Sequence, residues 1–157
     1  IDDFSYDIWL TKNPCPTNLG FPDIEIMVWL YHEEHLPSPP FIEVGNLTVT
    51  VYVNGKPIKD VFIVYVLPHT GSASGWIGIY YVSDIQLVGR VTIPLSELVR
   101  DSFNFINRVY PSITPSSYYL DAIQLGMEFN DDNGTAILGY TLYYWELNNT
   151  TLIGQFH

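Results

Sequence analysis

Two glutamates in this 157-residue chain stand where paired carboxyl groups could carry out acid–base or nucleophilic chemistry. The first, Glu25, lies in residues 23–31, where every second residue from Ile24 to Leu30 is aliphatic. Because alternate side chains of a strand point to opposite faces, this pattern predicts a strand with one buried face. The other face carries a mixed set of side chains: Asp23, Glu25, Met27 and Trp29. This mixture is typical of a ligand-binding cleft wall, and a half-exposed acid on an ordinary β-sandwich is the alternative interpretation.

The second glutamate, Glu128, lies near the end of residues 118–129, which also alternate. Its face is small and polar and carries Ala122, Gln124, Gly126 and Glu128. A glycine inside a strand often marks a close approach of another group to the backbone. We therefore expect a ligand such as a pyranose ring to bind beside Gln124 and Gly126.

A third acid, Asp7, lies in residues 5–10 and shares its predicted strand face with Trp9. The proline-containing loop 11–22 then returns the chain to Glu25, and this spacing permits an antiparallel strand pair. Two neighbouring carboxyl groups share a proton, which moves their pKa values apart. We expect Asp7 to orient and tune Glu25, with the capping of a turn as the alternative role.

Three stretches of the chain resemble family 12 glycoside hydrolases, which are retaining endo-β-1,4-glucanases with a β-jelly-roll fold. E-I-M-V-W-L at 25–30 resembles the nucleophile strand of that family, and S-Y-D-I-W-L at 5–10 resembles the strand before it. Residues 118–129 resemble the strand with the general acid/base, which has a glycine two residues before the acid. Phe129 stands where the family often has proline.

The resemblance implies a role for each acid. Glu25 would be the nucleophile, Glu128 the general acid/base, and Asp7 the residue that orients and tunes the nucleophile through a hydrogen bond. Glu25 must be ionised to attack and Glu128 must start protonated. Mutual repulsion, desolvation and the Asp7 contact are expected to separate their pKa values in that sense. Met27 beside Glu25 would provide a dry, polarizable floor under the sugar.

The fold that the resemblance implies is all-β. It is a β-jelly roll of two stacked, curved antiparallel sheets, with one amphipathic helix on the convex side and a concave substrate cleft. The resemblance covers nearly the whole chain but only the latter part of the family's domain. Without the earlier strands of that domain, strands of this chain would lack pairing partners and would expose their edges. We therefore expect residues 1–157 to be a single partial catalytic domain whose N-terminal strands are absent, or are supplied as a separate piece, so that activity of this chain alone is uncertain.

Residue patterns predict the remaining elements. An Asn54-Gly55 turn is typical of a β-hairpin. Helical spacing of apolar residues predicts a helix from Ser96, as N-cap, to about Tyr110 before Pro111. Further strands are expected at 47–53, 61–67, 76–82, 85–93, 136–146 and 151–156.

Aromatic residues are abundant, with 12 Tyr and 4 Trp, and flat rings stack well on sugars. We expect Trp9, Trp29, Trp76 and Tyr80 to line the substrate cleft. Trp76 and Tyr80 would be sugar platforms, with burial in the core as the alternative. Tyr143 and Trp145 are further candidates.

Several function classes are disfavoured. A net charge of −11 repels phosphate backbones, so nucleic-acid binding is not expected. No stretch is long and apolar enough to span a bilayer, so no membrane partner is expected either. Residues 32–35, His-Glu-Glu-His, have one residue too few between the histidines for a zinc-protease motif and predict an exposed loop at the rim of the cleft. Neither a metal nor an organic cofactor is needed for the implied chemistry.

We therefore expect a retaining endo-β-1,4-glucanase, or cellulase, that hydrolyses internal linkages of a β-glucan polysaccharide. A xylanase of the sister jelly-roll family and a non-catalytic carbohydrate-binding β-sandwich are the alternatives. Four glycosylation sequons, which begin at Asn46, Asn133, Asn148 and Asn149, favour secretion. The single cysteine, Cys15, would either be unpaired or pair with a cysteine outside these residues.

Overall fold

The structure is a computed structural model that describes residues 3–33, 36–69 and 75–128. Within these ranges the chain forms seven strands, one α-helix and one turn of 3₁₀-helix at Pro115–Ser117. The strands and the α-helix are β1 Asp3–Thr11, β2 Ile24–His32, β3 Ile42–Val53, β4 Lys56–Leu67, β5 Ile77–Ser83, β6 Val91–Thr92, α1 Leu95–Ile106 and β7 Tyr119–Glu128. The predicted strands at 136–146 and 151–156, with Tyr143 and Trp145, lie outside the described residues.

All seven strands belong to one sheet, in the order β6-β3-β4-β5-β2-β1-β7. β1 pairs with β2 in the antiparallel sense, as the intervening loop predicts. β2 and β5 run parallel, whereas the other pairs are antiparallel. The predicted hairpin is confirmed: Asn54 and Gly55 join β3 to β4 with φ values of 51° and 79°, the left-handed conformation of a two-residue hairpin turn.

One face of the sheet packs against α1 and is called the helix face below. Its apolar side chains and those of the helix form the main core, which includes Ile8, Ile26, Val28, Phe62, Val64, Ile79, Leu98 and Ile106. Tyr81 crosses this interface, and its hydroxyl donates to the carbonyl of Leu98 at 3.0 Å. The opposite face carries Asp7, Glu25 and Glu128 and is called the cleft face. An all-β class with one amphipathic helix behind the cleft face is therefore confirmed.

The helix boundaries differ from those predicted. The helix begins at Leu95, with Pro94 as its N-cap, so the prediction that Ser96 is the N-cap is wrong. The carbonyl of Pro94 already accepts the backbone N–H of Leu98, which starts the helix one residue earlier. The helix ends at Ile106 rather than near Tyr110, because the side chain of Asn107 donates to the carbonyl of Tyr110 at 3.0 Å and stabilises a turn there.

The predicted strand at 85–93 is also wrong, because only Val91–Thr92 pairs with β3. The side-chain amide of Gln86 bonds both backbone groups of His32, at 2.9 and 2.7 Å. The backbone N–H of Leu87 donates to the carbonyl of Leu30. These contacts hold Gln86 and Leu87 against the end of β2, so in the described part of the chain these residues do not pair with a neighbouring strand.

Candidate active site

The strand register places Asp7 and Glu25 on the same face of neighbouring strands. Trp9 lies opposite Glu25 and Asp7 lies opposite Met27, two residues further along β2. On its other side Asp7 lies opposite Gln124 of β7. Asp7 is therefore the central acid of the cleft face, next to the strand of Glu25 and the strand of Glu128.

Glu128 lies at the end of β7, opposite Asp3. It is on the same face as Glu25, which lies on the other side of β1 opposite Trp9, six residues along that strand from Asp3. The charges of Glu128 and Asp7 both act to raise the pKa of Glu25, after burial, which is the largest cause. The structure thus brings the three acids that the sequence singles out onto one face of the sheet, within electrostatic reach of each other.

Glu25 is only 7% exposed, and burial raises the pKa of its carboxyl group to about 7. One hydrogen bond opposes this shift: Trp76 Nε1 donates to Glu25 Oε2 at 2.8 Å. A hydrogen bond from a donor stabilises the ionised form and lowers the pKa. Burial therefore acts against the ionised state that a nucleophile requires, and Trp76 acts in favour of it.

Asp7 is half-buried and accepts a hydrogen bond from Ser5 Oγ at 3.1 Å. Burial raises the pKa of Asp7, and the Ser5 hydrogen bond lowers it. The resemblance implies a hydrogen bond between Asp7 and the nucleophile. In the described residues the hydrogen bond to Glu25 comes from Trp76, while Asp7 acts on Glu25 through its charge.

Glu128 is exposed among the described residues. Burial of its carboxyl group is still the main cause that raises its pKa, and the charge of Asp7 raises it further. A raised pKa suits a general acid, which must be protonated when substrate arrives. The pKa of Glu25 is raised as well, so the described part of the chain does not hold Glu25 ionised while Glu128 stays protonated.

Aromatic rings surround Glu25 on the cleft face. The indoles of Trp9 and Trp76 meet edge to face, with ring centroids 5.1 Å apart and an interplanar angle of 77°. The ring of Tyr80 is half-buried and contacts Phe41 at 4.9 Å between centroids. Trp9, Trp76 and Tyr80 are all partly exposed beside Glu25, as a sugar-binding surface requires.

Met27 and Trp29 also point to the cleft face but are only 1% and 2% exposed. They form a small second core with Tyr65 and Val82, against which Phe41 and Tyr80 pack. Among the described residues they therefore support the cleft from beneath and present almost no surface to a ligand. The sequence pattern could not show this, because Phe41 comes from a different part of the chain.

Gly78 is a site residue that the sequence reasoning did not select. It lies opposite Glu25 on the neighbouring strand, and a Cβ there would lie 2.9 Å from Tyr80 Cε1 and 3.1 Å from Leu67 Cβ. Its missing side chain lets the ring of Tyr80 lie beside Glu25. A glycine inside a predicted strand was the available signal. At Gly126, by contrast, no atom of the described residues lies within 4 Å of such a Cβ, which leaves room for the ligand expected there.

Asp3 is a second residue that the sequence reasoning missed. It is 3% exposed, and its carboxyl group lies beside the Ser5 hydroxyl, whose interaction with it acts to lower its pKa. Burial is the main cause that raises its pKa to about 7. Nothing in the sequence marks Asp3, because its position depends on the pairing of β1 with β7.

Other predicted features have simple locations. Cys15 is exposed in the loop between β1 and β2. His32 ends β2, and residues 34 and 35 lie outside the described ranges. Within those ranges no three His, Cys, Asp or Glu side chains cluster in a way that could hold a metal ion. No helix in the described part of the chain has the length and apolarity needed to cross a membrane.

Solved structures share this fold. A family 12 xyloglucanase from Bacillus licheniformis matches with a TM-score of 0.50 at 20% identity, over 81% of this chain and 48% of that one. An endoglucanase from Rhodothermus marinus matches with a TM-score of 0.51 at 21% identity, over 81% and 47%. A cellulase derived from the Rhodothermus marinus enzyme by mutation gives 0.51 at 24% identity, over 81% and 50%. The β-jelly-roll class is thereby confirmed, and the chain spans about half the length of the structures it matches.

A comparison with curated protein sequences gives no match. The family model of glycosyl hydrolase family 12, however, matches residues 1–152, which is nearly the whole sequence. The chain therefore belongs to glycosyl hydrolase family 12.

Proposed function

We propose that this protein is a retaining endo-β-1,4-glucanase in which Glu25 is the nucleophile and Glu128 the general acid/base. The observation that carries the proposal is the shared face of Glu25 and Glu128, with Asp7 on the strand between them. A carboxyl pair on one concave face is the arrangement that double displacement at a glycosidic bond needs.

In the first step Glu25 forms a bond to the anomeric carbon while the bond to the leaving oxygen breaks. Glu128 gives its proton to that oxygen. In the second step water attacks the anomeric carbon and gives a proton to Glu128, and Glu25 leaves as a carboxylate. Retaining enzymes of this kind hold the two carboxyl groups ~5–5.5 Å apart when they act.

The surroundings of the acids support this division of roles. Glu25 is buried against Trp76, so its carboxyl group has one fixed orientation. Glu128 is exposed among the described residues at the end of β7, a position that suits contact with both a leaving group and water. The charge of Asp7 raises the pKa of both glutamates, which favours the proton that Glu128 must donate but opposes ionisation of Glu25. The hydrogen bond from Trp76 favours the ionised Glu25.

The neighbouring side chains support a polysaccharide substrate. Trp9, Trp76 and Tyr80 offer partly exposed rings on which sugar faces can stack. No atom of the described residues lies within 4 Å of a Cβ placed at Gly126, which suits the approach of a sugar to β7, with Gln124 next to it as a hydrogen-bonding group. A neutral glucan is unaffected by the net charge of −11. Because such substrates are extracellular, we also propose that the protein is secreted.

The test is hydrolysis by the full chain and two variants, Glu25→Gln and Glu128→Gln. Carboxymethylcellulose, mixed-linkage β-glucan, xyloglucan and xylan would be compared by the release of reducing ends. We expect activity on a β-1,4-glucan, a loss of roughly 10⁴-fold or more in kcat for Glu25→Gln, and a loss of ~10²–10⁴-fold for Glu128→Gln.

Binding of glucan without hydrolysis by the unaltered protein would favour a carbohydrate-binding module instead. Activity on xylan alone would favour a xylanase. Full activity in either variant would remove that glutamate from the mechanism.

A further inference from the structure

We propose that Trp76 is a positioning residue for the nucleophile: its indole N–H binds Glu25 Oε2 and thereby leaves Oε1 as the oxygen that attacks the sugar. The inference rests on the proposed function of Glu25. It gives Trp76 a role that a stacking platform would not have, because it acts through a single atom, Nε1, at 2.8 Å from Oε2.

The backbone on both sides of Trp76 is anchored. The carbonyl of Gly75 contacts His69 Nδ1 at 3.0 Å. The backbone N–H of Ile77 donates to the carbonyl of Asp23 at 2.9 Å, which ties the start of β5 to the start of β2. A donor with a fixed backbone loses little freedom when its hydrogen bond forms.

The ring of Trp76 is oriented as well. Its edge-to-face contact with Trp9, at 5.1 Å between centroids, restrains the indole from the side of β1. Trp9 itself lies opposite Glu25 in the β1–β2 pair. Three neighbouring strands thus fix the nucleophile, the donor and the ring that supports the donor in one small region.

The hydrogen bond changes in strength along the reaction. A donor N–H binds an ionised carboxylate more strongly than a neutral carboxyl group or an ester. Trp76 therefore stabilises Glu25 before attack and after release, when Glu25 is charged, and less so in the glycosyl-enzyme. Without Trp76, burial and the neighbouring acids would raise the pKa of Glu25 without this opposing interaction.

The experiment uses the full chain and the variant Trp76→Phe, which keeps a ring but removes the N–H. The pKa of Glu25 would be measured by ¹³C NMR with glutamate labelled at its side-chain carboxyl carbon, and Glu25→Gln would identify the signal. We expect Trp76→Phe to raise the pKa of Glu25 by about one unit. The acid limb of the pH profile of kcat/KM should move to higher pH by the same amount, so that kcat/KM at a pH below that limb should fall about tenfold.

Two matched variants separate this role from simpler ones. Trp9→Phe alters a cleft indole that does not bond Glu25 but keeps an aromatic ring beside Trp76, so it should change KM and move the acid limb by less than Trp76→Phe does. Tyr81→Phe removes a buried hydroxyl on the helix face, where it bonds Leu98 and Ser102, so it tests whether lost stability alone moves the limb. A limb shift in either variant equal to that of Trp76→Phe would overturn the inference.

The inference and the proposed function fail in different ways. An unchanged Glu25 titration in Trp76→Phe would overturn the role of Trp76 and leave Glu25 as the proposed nucleophile. A shifted titration with an unchanged acid limb would instead show that Glu25 is held by Trp76 but is not the group that attacks, which would overturn both.

Discussion

Asp3 and Glu128 lie directly opposite each other on β1 and β7, on the face of the sheet that also carries Glu25. Asp3 is almost completely buried, and burial is the main cause that raises its pKa to about 7. Burial raises the pKa of Glu25 to about 7 as well. Two carboxyl groups of the cleft face therefore retain protons far above their usual pH range.

This arrangement predicts a stability that falls as pH rises. The folded protein keeps protons on Asp3 and Glu25 that the unfolded chain loses near pH 4, so the unfolded state binds fewer protons between pH 4 and 7. These two groups thus contribute most to stability below pH 4, and the contribution is lost as pH rises through 7. The free energies of unfolding of Asp3→Asn and wild type, measured by thermal unfolding, should diverge across this range by up to about 4 kcal/mol, because each pKa unit between the unfolded and folded values is worth ~1.4 kcal/mol. A parallel pH dependence of the two proteins would refute the burial of a protonated Asp3.

Asp7→Asn should shift the whole pH–activity profile to lower pH. The charge of Asp7 raises the pKa of both Glu25 and Glu128, so its removal lowers both. Glu25 would then ionise at lower pH, and Glu128 would lose its proton at lower pH. Profiles of kcat/KM for the two proteins measure both limbs. An upward shift of either limb would show that Asp7 acts by something other than its charge.

Gly78→Ala should destabilise the protein and disturb the site. A Cβ at Gly78 would lie 2.9 Å from the ring of Tyr80, which must move. Overpacking of this kind costs ~1–3 kcal/mol. Gly126→Ala is the matched control, because its Cβ meets no described atom within 4 Å. Chemical denaturation of both variants compares them, and equal stabilities would mean that Tyr80 does not lie over Gly78.

The face of each strand could be predicted from sequence, because side chains alternate with a period of two. That rule placed Glu25 and Asp7 correctly on one face of paired strands, since a short loop joins them. It failed at 85–93, where the side chain of Gln86 binds the backbone of His32, 54 residues away. A local pattern holds no information about such a contact.

The candidate site, like the fold, could be predicted where it depends on a local pattern and not where it depends on contacts between distant residues. The acids could be found from their own strands, but the hydrogen bond from Trp76 to Glu25 depends on the parallel pairing of β2 and β5. The burial of Trp29 in the second core likewise depends on residues from outside its strand, such as Tyr65 and Phe41. The hydrogen bond and the burial of Trp29 both depend on which distant segments of the chain lie next to each other. A single sequence does not show those pairings.

The nucleophile is tested most directly by trapping the covalent intermediate. An activated 2-deoxy-2-fluoro cellobioside should glycosylate the enzyme, and the electron-withdrawing fluorine should slow release by destabilising the oxocarbenium-like transition state. Mass spectrometry of the intact protein and of its peptides would locate the sugar. The account predicts one fluorocellobiosyl group, attached to Glu25. A sugar attached to another residue, or steady hydrolysis of glucan with none attached, would contradict it.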